Sequence, residues 1–342
     1  MGLCHGFAVS DAVEPGTDAW RAQVDEDVVD PDQRVVDAHH HLWPDGEGMG
    51  YGVAELLADA GSGHRVERTV FVECRSAYRS DGPEDMRPVG ETEFVAGAAA
   101  RAGGLIGGIV AHADLRLPPG RLDEVLDAHA DAGAGLFRGI RHSLSRGDRA
   151  DGLTIPGRAP AGLADDPAFR SGVARLGERG LTYDTWQYHY QAGELLDLAR
   201  AVPGTTIVLD HFSTPLGVGR YAGRHDELFG PWREDIAAIA ACENVVAKLG
   251  GLAMPDNGFG WHRAARPPTS DEFVAAQRRW YEHTIECFGP DRCLFESNFP
   301  VDRLSLSYRV LLNGVKKMAA GCSPAERDAI FQGTATRVYR LD

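Results

Sequence analysis

The segment Asp37-Ala38-His39-His40-His41 follows the short apolar run Val35-Val36. Side chains alternate between faces along an extended strand, so His39 and His41 point the same way, roughly 6–7 Å apart. Two imidazoles on one face at a strand end can chelate a divalent cation, or bind and polarise a carbonyl. His40 faces the other way and stays outside that pair. Further along, chemically capable side chains recur at the ends of apolar runs. Glu73 and Arg75 come first, then His112 and Asp114, Arg141 and His142, and Trp186, Gln187 and His189. His211, Lys248, Glu296 and Asn298 continue the series, with Asp302 beyond Pro300. Lys, Arg, Glu and Asp are rarely buried without partners, so this repetition is a catalytic pattern rather than a core pattern.

The elements that must carry these residues are legible from the patterning. The apolar, β-rich runs are Val35–His41, Arg68–Cys74, Ile106–Leu115, Leu136–His142, Leu181–Gln187, Thr206–Phe212, Asn244–Gly250 and Cys293–Ser297. Near-continuous apolar runs of this length suit parallel strands covered by helices. Between them, Gly120–Ala134, Asp166–Arg179, Ala192–Ala201 and Ser270–Phe288 place apolar residues at helical spacing. Ser323 with Glu326 forms a capping box for a late helix. Eight alternations predict a (β/α)₈ TIM barrel over residues 34–342, with residues 1–33 as a flexible or loosely docked N-terminal extension. A doubly wound sheet is the second choice, and no G-x-G-x-x-G follows a strand. In a barrel the strand C-termini form the active face, which is where the series of polar residues falls.

Composition narrows the partners. The 342 residues carry 50 Asp and Glu against 35 Lys and Arg, a formal net charge of -15. Such a surface repels phosphate backbones and anionic lipid, so neither nucleic acid nor membrane is an expected partner. No stretch approaches the ~20 apolar residues of a membrane span. The segment Met1–Gly6 shows no basic region followed by an apolar one, so no secretory signal is read. Six scattered cysteines without a C-x-x-C pair read as reduced thiols of a cytoplasmic protein. Assembly as a homodimer stays open.

Several longer stretches resemble one known family. They are Val-Asp-Ala-His-His-His-Leu-Trp (36–43), Gly-Ile-Arg-His (139–142), Val-Leu-Asp-His-Phe (208–212), Val-Val-Ala-Lys-Leu-Gly-Gly-Leu (245–252) and Arg-Cys-Leu-Phe-Glu-Ser-Asn-Phe-Pro-Val-Asp (292–302). Together with Thr334-Ala335 and Tyr339-Arg340-Leu341, they resemble the amidohydrolase-related branch that includes sugar lactonases and 2-pyrone-4,6-dicarboxylate lactonase. The resemblance covers about residues 34–342. It implies a centre built from the strand 1 histidine pair, a strand 6 histidine and a strand 8 aspartate. Carried over, the histidines are His39, His41 and His211, which would hold one divalent metal, zinc by donor type. A metal-free site is the alternative, since some lactonases of this branch work without metal. The strand 8 position departs from the family, because Asn298 stands where the aspartate is expected. An amide cannot take a proton as a general base.

The expected reaction is water attack on a lactone or related cyclic ester or amide, with His39, His41 and His211 polarising the carbonyl. Asp302, on the strand 8 loop, is the first candidate base. Glu296 is the second, or else orients a histidine or pairs with Lys248. Arg141 and Lys248 are read as holding an anionic group on a small-molecule substrate, because guanidinium suits bidentate binding. Trp186, Gln187, His189, Asn298 and Glu73 complete the expected substrate-binding set. Trp261 and His262, in a Gly-rich loop, are read as a lid. Two rivals are a metal-dependent decarboxylase of the same superfamily and a barrel that cyclises, dehydrates or only binds.

Overall fold

The computed structural model describes residues 13–341. The first twelve residues, with Cys4 and the segment read for a secretory signal, lie outside the described residues, as does Asp342. Eight strands run in chain order around one sheet: β1 Arg34–His40, β2 Arg65–Val72, β3 Ile106–Ala111, β4 Phe137–Arg141, β5 Thr182–Thr185, β6 Ile207–Leu209, β7 Val245–Leu249 and β8 Cys293–Phe295. Each pairs in parallel with the next. The ring closes just past β8. His40 bridges to Phe299, His41 N–H donates to the Phe299 carbonyl at 2.8 Å, and Asn298 N–H donates to the His39 carbonyl at 2.9 Å. This is a (β/α)₈ barrel.

The helices form where the spacing places them, at Pro119–Ala132, Pro167–Glu178, Ala192–Ala201 and Ser270–Phe288. Their ends follow local chemistry. Thr269 and Glu272 form a capping box on the longest helix, and Ser323 with Glu326 caps Pro324–Asp328 in the same way. No helix is long and apolar enough to cross a membrane among the described residues.

Strand alternation divides the core into two layers. Val35, Phe71, Ile109 and Ile140 face outward and pack under the helices. Val36, Val70, Val110, Val208, Val246 and Leu294 face inward and fill the lower barrel together with Tyr339 and Leu341 from the chain's end. One pleat higher the inward positions turn polar: Asp184 above Thr182, Asp210 above Val208, Lys248 above Val246 and Glu296 above Leu294. An apolar plug therefore supports a charged floor, as in barrels whose chemistry sits at the strand C-termini.

Residues 13–33 lie against the barrel. Trp20 is fully buried and its indole N–H donates to the Ala264 carbonyl at 2.9 Å. Asn313 receives the Val29 N–H at 2.8 Å and donates to the Asp27 carbonyl at 2.9 Å. Lys316 Nζ donates to the carbonyls of Val29 and Asp30 at 3.1 and 2.8 Å.

Candidate active site

The histidine pair sits where β1 loses regular register, between Asp37 and His40. Asp37 is buried beneath it and accepts the Ser297 N–H at 2.8 Å, the Tyr308 hydroxyl at 3.0 Å and the His39 N–H at 3.2 Å. This ties β1 to β8 and aims the next residues. His40 turns outward and meets the Thr69 hydroxyl at 2.9 Å. His39 and His41 converge, so that their Nε2 atoms stand 3.2 Å apart. His41 Nδ1 donates to the Val72 carbonyl at 2.8 Å, which leaves His41 Nε2 unprotonated. Burial holds the His41 pKa well below the ordinary histidine value, with His39 and Arg141 adding to the effect.

His211 comes from a strained turn. His211, Phe212, Ser213 and Thr214 all have positive φ, at 52°, 56°, 60° and 39°. Left-handed backbone over four non-glycine residues costs energy and persists only where the surroundings dictate it. Here Gln187 Nε2 donates to Ser213 Oγ at 3.1 Å, the Trp186 indole donates to Thr214 Oγ1 at 3.0 Å, and the Trp232 indole donates to the Phe212 carbonyl at 2.8 Å. Glu296 Oε1 accepts from both the His211 backbone N–H at 3.1 Å and His211 Nδ1 at 2.7 Å. Its Oε2 lies 2.9 Å from His39 Nδ1. Burial opposes ionisation of Glu296, but His211 and His39 beside it hold its pKa down at about 2.

Below the histidines lies a buried ion network. Lys248 Nζ is 2.9 Å from Asp184, 2.9 Å from Asp210 and 3.2 Å from His39 Nδ1. Tyr339 reaches up from the plug to donate to Asp184 at 2.5 Å. Burial works against the lysine's charge, yet its carboxylate neighbours raise its pKa to about 12. Arg141 donates through Nε to Glu73 at 3.0 Å and through Nη1 to Asp210 at 3.3 Å, and it also bonds the Glu73 carbonyl. Its Nη1 is 3.3 Å from His39 Nε2.

A cavity of about 690 Å³ opens above this floor, lined by His41, His211, Arg141, Glu73, Asn298 and Trp186 among others. Some predicted residues are elsewhere. His39 and Glu296 lie just beneath the floor and act on it through their neighbours. Lys248, read as a substrate contact, is fully buried and does not line the cavity, because Asp184 and Asp210 draw it down. Asp302, expected near the rim, is a correction too. The chain turns back at Asn298, where φ is 55°, and Asp302 N–H donates to the Asn298 carbonyl at 3.2 Å. The carboxylate is thereby folded inward and fully buried, accepting from Asn298 Nδ2 at 2.9 Å and from Ala253 N–H at 3.0 Å. Burial pushes its pKa up to about 7. Gln187 braces the His211 turn instead of lining the cavity, and His189 accepts the Leu216 N–H at 3.3 Å behind it. Trp261 stacks on Phe259 at 5.0 Å between ring centres; neither it nor His262 borders the cavity.

Sequence reasoning missed Asp184 and Asp210. A usable signal existed, since both interrupt apolar strand runs on strands adjacent to or next but one from Lys248, and buried charges need partners.

The donor set fits a divalent cation. His39, Asp210 and His211 each bring a ligand atom within 4.8 Å of the others. Both Asp210 oxygens already meet a cation, Lys248 and Arg141. His41 Nε2 is the freer donor of the paired imidazoles, since Arg141 Nη1 already lies 3.3 Å from His39 Nε2, and nitrogens 3.2 Å apart share a proton or clasp a cation. Four buried carboxyl groups, Glu73, Asp184, Asp210 and Glu296, face only two buried cations, Arg141 and Lys248. That excess of acid also suits a divalent ion.

The amidohydrolase family model matches residues 36–341. An uncharacterized Sinorhizobium fredii protein, y4mH, is 31% identical over 332 residues, covering 91% of this chain and 99% of its own. An L-fucono-1,5-lactonase of Burkholderia multivorans is 28% identical over 315 residues, covering 90% and 96%. A crystal structure of a Burkholderia multivorans amidohydrolase with bound Zn superposes with a TM-score of 0.68 at 25% identity, covering 90% of this chain and 99% of that one. A 5-carboxyvanillate decarboxylase from Novosphingobium aromaticivorans shares the fold, with a TM-score of 0.57 at 11% identity, covering 91% and 97%. With its barrel, its histidine-lined floor and this match over nearly its whole length, the chain belongs to the amidohydrolase family and is a hydrolase.

Proposed function

We propose that the protein opens a lactone by water attack on its carbonyl. One observation carries the reading: Glu296 fixes His211 Nδ1 at 2.7 Å, which leaves His211 Nε2 as the free ring nitrogen of a residue lining the cavity floor. A carboxylate that orients an imidazole makes it a general base, as in hydrolytic triads. His211 Nε2 takes the proton of the attacking water as the new C–O bond forms. The tetrahedral intermediate then expels the ring oxygen, and His211 returns that proton to the leaving alkoxide. The product is the open hydroxy acid. The Arg141 charge, fixed by Glu73 and Asp210, stabilises the developing oxyanion.

His39 and His41 would hold a divalent cation, zinc by donor type, which when bound supplies Lewis-acid polarisation of the carbonyl. With His211 Nε2 committed to the proton of the attacking water and Arg141 beside His39 Nε2, this is a loose site. Asn298 borders the cavity as an amide and contacts substrate without moving protons. The similarity to L-fucono-1,5-lactonases supports a lactone as substrate. The five described cysteines are unpaired, which supports a reducing, cytoplasmic setting.

Steady-state kinetics on a lactone panel beginning with L-fucono-1,5-lactone tests the reading. His211→Asn and Glu296→Gln should each lower kcat about a hundredfold or more, and the double variant should be no worse than His211→Asn alone. A His211→Asn enzyme with wild-type kcat removes the dyad. Inert lactones together with CO₂ release from aromatic acids would move the protein to the decarboxylases.

A further inference from the structure

The cavity wall has a charge opposite to that of the molecule. The chain holds 50 acidic against 35 basic residues, yet the cavity is lined by five arginines and only two carboxylates, Glu73 and Asp114. Both carboxylates are already matched: Glu73 pairs with Arg141 at 3.0 Å and Asp114 with Arg116 at 2.8 Å. The remaining three, Arg75, Arg149 and Arg158, have no ion pair or side-chain hydrogen bond among the described residues, and all three are exposed. They therefore belong to the outer part of the cavity, above the buried Arg141 and the histidine floor.

Their supports are ordered. Arg75 follows β2, in backbone of positive φ (62°). Arg149 and Arg158 ride on the long connection after β4, which is stapled along its length. Asp256 accepts the Thr154 and Ile155 N–H groups at 2.7 and 3.0 Å, Tyr188 accepts the Gly157 N–H at 2.8 Å, and the Ala159 N–H reaches the Ser145 carbonyl at 2.9 Å. Three guanidinium groups without an ion pair, two on this stapled loop and one after β2, in a concave site on an acidic protein, focus a local positive field. Their planar donor forks match carboxylate and phosphate oxygens.

We propose that Arg75, Arg149 and Arg158 form an oxyanion-binding subsite, so that the enzyme selects lactones carrying a carboxylate or phosphate away from the scissile ester. This rests on the lactone-hydrolase reading for its chemistry, and it moves the anion contact from Arg141 and Lys248, which are already paired, to the cavity mouth. An uncharged lactone such as L-fucono-1,5-lactone leaves the three guanidinium groups unmatched.

The test compares three substrates with one ring: a six-carbon aldono-1,5-lactone, its 6-phosphate and its 6-carboxylate analogue. The charged lactones should have a kcat/KM about tenfold or more above the neutral one, an advantage that shrinks as salt is raised from about 0.05 to about 0.5 M. In the double variant Arg149→Gln/Arg158→Gln the charged-over-neutral preference should fall about tenfold or more. The faster of the two charged lactones identifies the oxyanion. Calorimetry with the corresponding open hydroxy acids reads the subsite without turnover. Equal handling of neutral and charged lactones, insensitive to salt and to the arginine changes, overturns the subsite and leaves the lactone reading standing. Arginine-dependent binding of the acids with no lactone opened keeps the subsite and overturns the lactone reading.

Discussion

At the scale of single residues, burial decides which carboxylate can do chemistry. Glu296 and Asp302 are both fully buried, but Glu296 meets two imidazoles whereas Asp302 meets an amide and a backbone N–H. The first is held ionised with a pKa of about 2, and the second is pushed up to about 7. An acid whose folded pKa is raised keeps its proton in the native state after the unfolded chain has lost it. Stability then falls as pH rises through the window from about 4 to about 7. At about 1.4 kcal/mol per tenfold change in proton affinity, Asp302 contributes on the order of 4 kcal/mol to that fall. Asp302→Asn should keep most of the turnover and should gain stability relative to wild type on going from pH 5 to pH 8. Urea unfolding at the two pH values measures the gap, and parallel pH dependence in the two proteins would refute the assignment.

At the scale of elements, the geometry of the proposed site depends on close approach of backbones at the tops of β6, β7 and β8. Gly251 has a φ of 75°, and a Cβ there would stand 2.2 Å from His211 Nδ1, displacing the imidazole from Glu296. Gly251→Ala should therefore cost both stability and activity, lowering the melting temperature by several degrees and kcat by about a hundredfold. Gly193, in the helix Ala192–Ala201, has open space around it, so Gly193→Ala should melt at or above the wild-type temperature with kcat unchanged. Calorimetric melts and kinetics on the two variants separate a local clash from a general intolerance of glycine replacement.

For the whole molecule, the segment before β1 is a structural question. We propose that residues 13–33 act as a clamp across the barrel's last helices, anchored by Trp20. Replacing a fully buried tryptophan by alanine costs about 3–5 kcal/mol. Trp20→Ala should lose about that much in urea unfolding, while kcat per folded molecule stays at the wild-type value because the segment's hydrogen bonds run to Ala264, Arg303, Asn313 and Lys316 and not to the floor residues. A variant of unchanged stability would show that the clamp contributes nothing.

Much of this protein is determined by the sequence alone. The alternation of apolar runs and amphipathic helices specifies the barrel, since each period dictates which faces must be buried. Strand parity likewise places His39 and His41 together and His40 apart. Polar residues at strand ends mark the rim where the cavity opens, His211 and Arg141 among its lining. Partnership across the barrel was decided only by the tertiary structure. That Lys248 answers to Asp184 and Asp210 depends on the inward faces of β5, β6 and β7 meeting inside the barrel, and that Glu296 grips His39 and His211 and Asp302 folds under Asn298 depends on closure of β8 against β1 and on turns of positive φ. Parity along one strand states the face a side chain takes. It does not state which charge from another strand, 209 residues away in the Lys248–His39 contact, will be waiting there.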